Sequence, residues 1–174
     1  DHIAGLNCGR WDYLFSMIKC LDSELVFPDR NLLTMDKPFL EAYVKQIVST
    51  SHKRGIHAMG GMSAFIPSGD EESWNQRLSD IKADKNMEIE RGCDGAWVAH
   101  PGLVKDIQSV FADKLGAAAQ WTHLSEAVTD ESAFTELGND AETRSYTVFQ
   151  NNINVALQYI AAWLVETERL HLTV

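Results

Sequence analysis

The sequence is poor in cysteine, proline and basic residues, and it has no long apolar run. Its 174 residues include 3 Cys, 4 Pro and 15 Lys+Arg against 25 Asp+Glu, which gives a formal net charge of −10. An odd number of scattered cysteines fits a reducing compartment and excludes a disulfide-stapled miniprotein. The longest apolar run, Ile160–Val165, is far shorter than the roughly 18 residues of a membrane-spanning helix.

The acidic balance excludes two classes of partner. A protein that binds nucleic acid through the phosphate backbone, or docks on an anionic membrane, is expected to be basic. Three families of motif are also absent: the Gly-x-Gly-x-x-Gly and Walker patterns of nucleotide sites, the paired Cys or His of zinc sites, and the Gly-x-Ser-x-Gly of serine hydrolases. With 45% hydrophobic and 23% charged residues, the composition predicts one globular domain.

Glycine and proline divide the first 115 residues into alternating strands and helices. We predict strands that end near Asn7, Gly60 and His100, and a further short buried strand over Asn31–Met35. The predicted helices cover residues 11–21, 38–54, 70–91 and 103–115, and the charges of 70–91 predict a mostly solvated face. Units of about 40 residues that alternate in this way are typical of parallel βα folds.

The remaining third of the sequence has a different character. Ala117–Gln120 suits a helix, and we predict a flexible acidic loop over residues 129–144. Tyr146–Val165 has the strongest helical periodicity of the chain. Trp97 and Trp163 are most simply interpreted as core residues.

Asn7–Asp12 is the first candidate site, because chemistry in parallel βα folds gathers where strands end. Gly9 permits a close backbone approach, the following amide groups could bind an anion, and Asp12 could hold Mg²⁺. The alternative interpretation is that Asp12 is only a first-turn acid that favours the helix dipole.

Met59–Pro67 is the second candidate, since two glycines lead into an apolar loop that contains methionine. Such a loop could line a pocket for an acyl thioester or could equally be a buried connection. His57 and His100 are possible acid–base groups, although histidines flanked by apolar residues are more often structural.

Four blocks of sequence resemble the malate synthase family, in particular its shorter A-type members. They are Asp1–Tyr13, His57–Pro67, Asp94–Pro101 and Asn151–Leu164, and their order and spacing agree with that family. The resemblance implies an α/β fold that is part of a (β/α)₈ TIM barrel, roughly its second half, followed by a long helix. It also implies a Mg²⁺-dependent condensation of acetyl-CoA with glyoxylate and water, which gives malate and CoA in the glyoxylate cycle.

The resemblance carries roles onto individual residues. Asp12 would be one of two carboxylate ligands of Mg²⁺, and the backbone of Gly9–Asp12 would bind the carboxylate of glyoxylate. The implied substrate-binding residues are Gly9, Arg10, Trp11, Asp12, Met62, Phe65 and Pro67. The family's glutamate ligand, catalytic arginine and catalytic aspartate are expected outside this sequence. We therefore expect residues 1–174 to be an internal fragment of the catalytic TIM barrel domain, and we expect this fragment to be inactive alone.

Two alternatives to this hypothesis remain at the level of sequence. One is a related Mg²⁺-dependent acyl-CoA lyase of the citrate-lyase type, and the other is a truncated, non-catalytic paralogue. The resemblance implies small-molecule substrates, with neither nucleic acid nor membrane as a partner. It implies a peroxisomal (glyoxysomal) location in a eukaryote and a cytoplasmic one otherwise.

Overall fold

The structure is a computed structural model that describes residues 2–21, 26–64, 70–116, 119–122, 126–138 and 144–164. Its strands are β1 (Gly5–Asn7), β2 (His57–Ser63) and β3 (Gly95–Val98). Its α-helices are α1 (Arg10–Cys20), α2 (Pro38–Lys53), α3 (Glu71–Glu90), α4 (Val104–Leu115) and α5 (Tyr146–Leu164). Short 3₁₀ helices cover Arg30–Leu32, Pro101–Leu103 and Glu131–Thr135.

The three strands form one parallel sheet in the order β1-β2-β3. Gly5 pairs with His57 in the first ladder, and Met59 pairs with Gly95 in the second. Helices α1 and α2 lie between β1 and β2 in the chain, and α3 connects β2 to β3. The predicted alternation of parallel βα units is therefore confirmed, and the carboxyl ends of the three strands meet at one edge of the sheet.

Local sequence signals explain where these helices begin and end. Pro38 occupies the first turn of α2, where its missing N–H has no cost, and Gly55 follows the helix with φ +66°. The Asp70 side chain accepts a 2.8 Å hydrogen bond from the backbone N–H of Ser73 and so caps α3. Gly116, with φ +64°, ends α4.

The main core lies between α2 and the first two strands. The predicted stripe of α2 is confirmed: Phe39 and Val48 are fully buried, and Tyr43 and Ile47 pack against the core. The other buried members of this cluster are Cys8, Leu14, Met17, Leu33, Met35, Leu40, Val44, Ala58, Cys93 and Leu137. A second, smaller core of Ile81, Leu103 and Ile107 joins α3 to α4.

The strand predicted over Asn31–Met35 is wrong. Leu33 and Met35 are buried, as a strand would require, but Arg30–Leu32 form a 3₁₀ helix. Its hydrogen bonds are local, because the N–H of Leu32 donates to the carbonyl of Asp29 at 2.9 Å. Burial of apolar side chains thus does not require a sheet when the backbone groups are satisfied within one turn.

The predictions for the segment between α4 and α5 have mixed outcomes. Of Ala117–Gln120, residues 117 and 118 lie outside the described residues, while residues 119 and 120 are not helical. Gln120 instead donates its side-chain N–H groups to the carbonyls of Ile89 and Cys93, both at 2.9 Å. The flexibility of 129–144 stays a prediction, although Glu131–Thr135 are helical and the carbonyl of Glu136 accepts a 3.2 Å bond from the Phe39 N–H.

The placement of two tryptophans in the core is also wrong. Trp97 is 56% exposed and Trp163 is 75% exposed. Trp97 lies on the same sheet face as its pairing partner Met62 on β2, which is 54% exposed, so this face is uncovered by the described residues. Within those residues no helix combines the length and the apolarity that a membrane crossing requires.

Candidate active site

The junction of β1 and α1 lies directly beside the carboxyl half of β2. The N–H of Cys8 donates to the carbonyl of Met59 at 2.8 Å, and Nδ2 of Asn7 donates to the carbonyl of Gly60 at 2.6 Å. These bonds extend the pairing of the two strands past the last residue of β1. They place Asn7–Asp12 and the described start of Met59–Pro67, the two segments that the sequence singled out, at the same edge of the sheet.

The Asp12 carboxylate lies over Gly9. A Cβ atom added to Gly9 would overlap Oδ2 of Asp12, so only glycine leaves room for the carboxylate in this position. Helix α1 begins at this turn without a side-chain cap, and Asp12 is exposed in its first turn. The first amide groups of a helix have no partner within the helix, so the turn combines hydrogen-bond donors with one accessible carboxylate.

Two arginines make cation–π contacts with the Trp11 ring. The Arg10 guanidinium carbon lies 4.7 Å from the centre of the Trp11 ring, and that of Arg30 lies 5.6 Å away. Arg10 is fixed in turn, because Nη1 donates to the carbonyl of Leu33 at 2.9 Å. Burial is the main cause that lowers the pKa of Arg10. These cation–π contacts favour the position of the Trp11 ring beside the turn.

Tyr43 supports the same turn from α2. Its ring stacks on that of Tyr13, with centroids 4.4 Å apart and planes inclined by 8°. Burial, with the neighbouring Cys8 and Asp12 as smaller causes, raises the pKa of Tyr43 to about 12. The Tyr43 phenol therefore stays neutral at any physiological pH.

A groove of about 450 Å³ opens along α1 next to Asp12. Its lining is almost entirely apolar and consists of Trp11, Asp12, Leu14, Phe15, Ile18, Phe27 and Leu33. The groove runs down the exposed face of α1 to Ile18, and the Asp12 carboxylate lies along its border.

The described part of the second candidate segment is strand rather than loop over Met59–Ser63. The structure extends β2 through Ser63, three residues beyond the predicted end at Gly60. Met62 pairs with Trp97 of β3 and exposes its side chain at the carboxyl end of the sheet. Phe65 and Pro67 lie outside the described residues, so their role as substrate-binding residues stays a prediction.

Sequence analysis missed a buried ion pair behind β2. Lys85 and Glu88 of α3 have side chains that are 1% and 6% exposed, and Nζ lies 2.8 Å from Oε1. Burial is the main cause that raises the pKa of Glu88 to about 7. The charges of α3 predict a solvated face, so only the two glycines opposite them, Gly60 and Gly61, could have indicated that this pair is buried.

Each of the two candidate histidines has a structural contact, and their role in acid–base chemistry stays a prediction. Nδ1 of His100 accepts a 3.0 Å bond from the N–H of Gly102 and caps the 3₁₀ helix. His57 begins β2, at the opposite end from Met62, and its Nδ1 lies 3.8 Å from Oδ2 of Asp94. That buried carboxylate also lies 3.1 Å from Nε2 of His52.

Among the described ranges, no group of three or more His, Cys, Asp or Glu side chains is arranged to hold a metal ion. Asp12 presents an exposed carboxylate at this edge of the sheet. A carboxylate of this kind fits Mg²⁺, which is commonly bound through one or two carboxylates together with substrate and water oxygens.

Comparison with known proteins identifies relatives of this chain. A sequence model of the TIM barrel domain of malate synthase matches residues 1–136. The chain is 50% identical over 167 residues to malate synthase A of Escherichia coli strain K12 and 46% identical over 167 residues to malate synthase of Myxococcus xanthus. It is 40% identical over 171 residues to the glyoxysomal malate synthase of Candida tropicalis.

Each of these alignments covers 94% of the chain and 31% of the relative, so the chain spans about a third of the length of the curated relatives it matches. The matched region includes the three strands, the turn at Gly9–Asp12 and helices α1 to α4. The predicted fold class is confirmed, and the chain belongs to the malate synthase family, as a segment of its TIM barrel domain.

Proposed function

We propose that this chain supplies one wall of the active site of a Mg²⁺-dependent malate synthase. The enzyme condenses acetyl-CoA with glyoxylate and water and releases malate and CoA. The observation that carries the proposal is the Gly9–Asp12 turn, where an exposed carboxylate and the free amide groups of a helix start lie beside an apolar groove. This combination suits a small oxyacid and a divalent cation together.

Within this proposal, each residue of the turn has a separate task. The Asp12 carboxylate is one ligand of Mg²⁺, and the amide groups of Arg10, Trp11 and Asp12 bind the carboxylate of glyoxylate. Mg²⁺, when bound, acts as a Lewis acid that polarises the aldehyde. Met62 borders the acetyl-CoA side of the pocket, and Phe65 and Pro67 are proposed to continue that border.

The remaining chemistry is assigned to residues outside the chain. A second carboxylate ligand, an arginine and the base that takes a proton from the acetyl methyl group are all required. We therefore propose that this chain is inactive when isolated. In a eukaryote we propose a peroxisomal location, since the relatives from Candida tropicalis, maize and cucumber are glyoxysomal enzymes, and otherwise a cytoplasmic one.

The test uses the complete gene product that contains this sequence. We expect release of a free CoA thiol that requires acetyl-CoA, glyoxylate and Mg²⁺ together. Asp12→Asn keeps the shape of the side chain but removes its charge, so we expect kcat/KM to fall about a thousandfold and Mg²⁺ affinity to weaken.

Asp106→Asn is the matched control, because Asp106 is also a first-turn acid, in α4, and lies away from the turn. It should leave CoA release unchanged. Absence of glyoxylate-dependent CoA release from the unmodified protein would contradict the proposal. Unchanged turnover of Asp12→Asn at limiting Mg²⁺ would remove Asp12 as a ligand.

A further inference from the structure

Strand β2 contains a bulge immediately before Met62. Met59 pairs with Gly95, and Met62 pairs with Trp97, so β2 advances by three residues while β3 advances by two. The additional residue falls on the Gly60–Gly61 pair. A bulge removes peptide groups from the ladder and redirects the strand, so these groups need other partners.

Side chains from two other elements supply those partners. Oε1 of Glu88 accepts a 3.0 Å hydrogen bond from the N–H of Gly61, and Nζ of Lys85 donates to the carbonyl of Gly61 at 2.9 Å. On the other side, Nδ2 of Asn7 donates to the carbonyl of Gly60 at 2.6 Å. The bulge is therefore held by a buried ion pair from α3 and by the last residue of β1.

The ion pair has no evident value for stability alone. Removing two charges from water costs several kcal/mol per ion, and well-packed apolar residues often stabilise such a position as much or more. Lys85 also lies 3.1 Å from Oδ2 of Asp84, and Oε2 of Glu88 has no hydrogen-bond partner among the described residues. A pair with this cost is better explained by the backbone geometry that it imposes.

The position of the Lys85–Glu88 ion pair depends on the glycine at residue 60. A Cβ atom added to Gly60 would overlap the Glu88 carboxylate, so the carboxylate reaches the Gly61 N–H only because residue 60 has no side chain. Met62 follows the bulge directly and exposes its side chain where the proposed active site lies.

We propose that Lys85 and Glu88 are positioning residues that hold the Gly60–Gly61 bulge and thereby aim Met62 at the acetyl-CoA side of the active site. The two residues touch no substrate and act only through the backbone of β2. The inference rests on the proposed function, because Met62 is assigned to the acetyl-CoA pocket there.

The main variant is Lys85→Met, made in the complete gene product. It removes one charge, and Glu88 can then take up a proton, so no unpaired ion stays buried. The second variant, Lys85→Met with Glu88→Gln, removes both charges and keeps an acceptor for the Gly61 N–H. The control is Lys82→Met on the same helix, because Lys82 is 40% exposed and pairs with Asp106 at 3.3 Å.

Two measurements are made on each variant: kcat and KM for acetyl-CoA, and amide hydrogen exchange over residues 58–64. We expect Lys85→Met to raise KM for acetyl-CoA about tenfold and to accelerate exchange in 58–64, since small misplacements at a site have effects of this size or larger. The double variant should recover part of the protection of the Gly61 amide, and Lys82→Met should match the unmodified protein.

Three results would overturn the inference. They are unchanged KM in both variants, a lower kcat with unchanged KM, as a loss of folded protein would give, and unchanged exchange in 58–64. If the unmodified protein releases no CoA, the proposed function fails, but the exchange measurement still decides whether the ion pair holds the bulge. Should Lys85→Met fail to fold, the double variant provides the same test without any buried charge.

Discussion

The Asp12 carboxylate occupies the space that a side chain at Gly9 would need. The two residues are linked by the first turn of α1, where the N–H of Tyr13 donates to the carbonyl of Gly9 at 3.2 Å. The side chain of the first acidic residue in α1 therefore lies over the end of the preceding strand. This relationship makes the position of the proposed metal ligand depend on a glycine three residues earlier.

Gly9→Ala should therefore act through Asp12. The new methyl group would displace the carboxylate, and we expect kcat/KM for malate formation to fall about a hundredfold, comparable with a misplacement of about 1 Å. In a double-mutant cycle, Gly9→Ala should have little further effect once Asp12→Asn is present. Additive losses would show that Gly9 acts independently of Asp12.

Tyr13→Phe should loosen the 131–135 helix from α1. The Tyr13 hydroxyl donates to the carbonyl of Phe134 at 2.8 Å, across 121 residues of sequence. Removing this bond should cost about 1 kcal/mol of unfolding free energy and should accelerate amide exchange in 131–138. Tyr146→Phe is the control, since the Tyr146 side chain is exposed, and it should change neither quantity. Equal effects of the two substitutions would contradict the assignment.

Hydrophobic periodicity and the positions of glycine and proline predicted the scaffold better than they predicted the site. The α2 stripe follows from spacing, because Phe39, Tyr43 and Ile47 recur every four residues and all pack in or against the core. The start of the helix follows from Pro38. By contrast, the burial of Lys85 and Glu88 depends on Gly60 and Gly61, about 25 residues earlier. A charged helix face indicates exposure unless its partner is known, and pairing between distant segments is not encoded in local pattern.

The same limit explains the errors at Asn31–Met35 and at the two tryptophans. An apolar run predicts burial correctly for Leu33 and Met35, but it does not decide between strand and 3₁₀ helix. Trp97 alternates with its neighbours along β3, so its exposure depends on what faces that side of the sheet. Against the described residues Trp97 stays 56% exposed.

Asp94→Asn should destabilise the protein without affecting substrate binding. Oδ2 of Asp94 accepts a 2.8 Å bond from the N–H of Ala58, and Oδ1 accepts one from the N–H of Gln120. An amide would turn one acceptor into a donor that faces an N–H group, which should cost about 3 kcal/mol. These contacts lie at the amino ends of the strands, so KM should not change. Thermal unfolding with Asp80→Asn as an exposed control measures the first effect, and a shifted KM would contradict the second.

Glu88 should make the protein less stable as pH rises through neutrality. Burial raises its pKa from 4.5 in the unfolded chain to about 7 in the folded one, so the folded state binds more protons between these values. Stability from this group is fully present below about pH 4.5 and is lost as pH approaches 7, by roughly 3 kcal/mol from the size of the shift. Denaturant unfolding of the unmodified protein and of Glu88→Gln between pH 4.5 and 8 isolates this contribution, because the difference between the two curves cancels the other titrating groups. We expect Glu88→Gln to become more stable relative to the unmodified protein as pH rises. If the difference in unfolding free energy does not change with pH, Lys85 keeps the Glu88 carboxylate ionised throughout the range. Both members of the buried pair would then be charged at every pH tested.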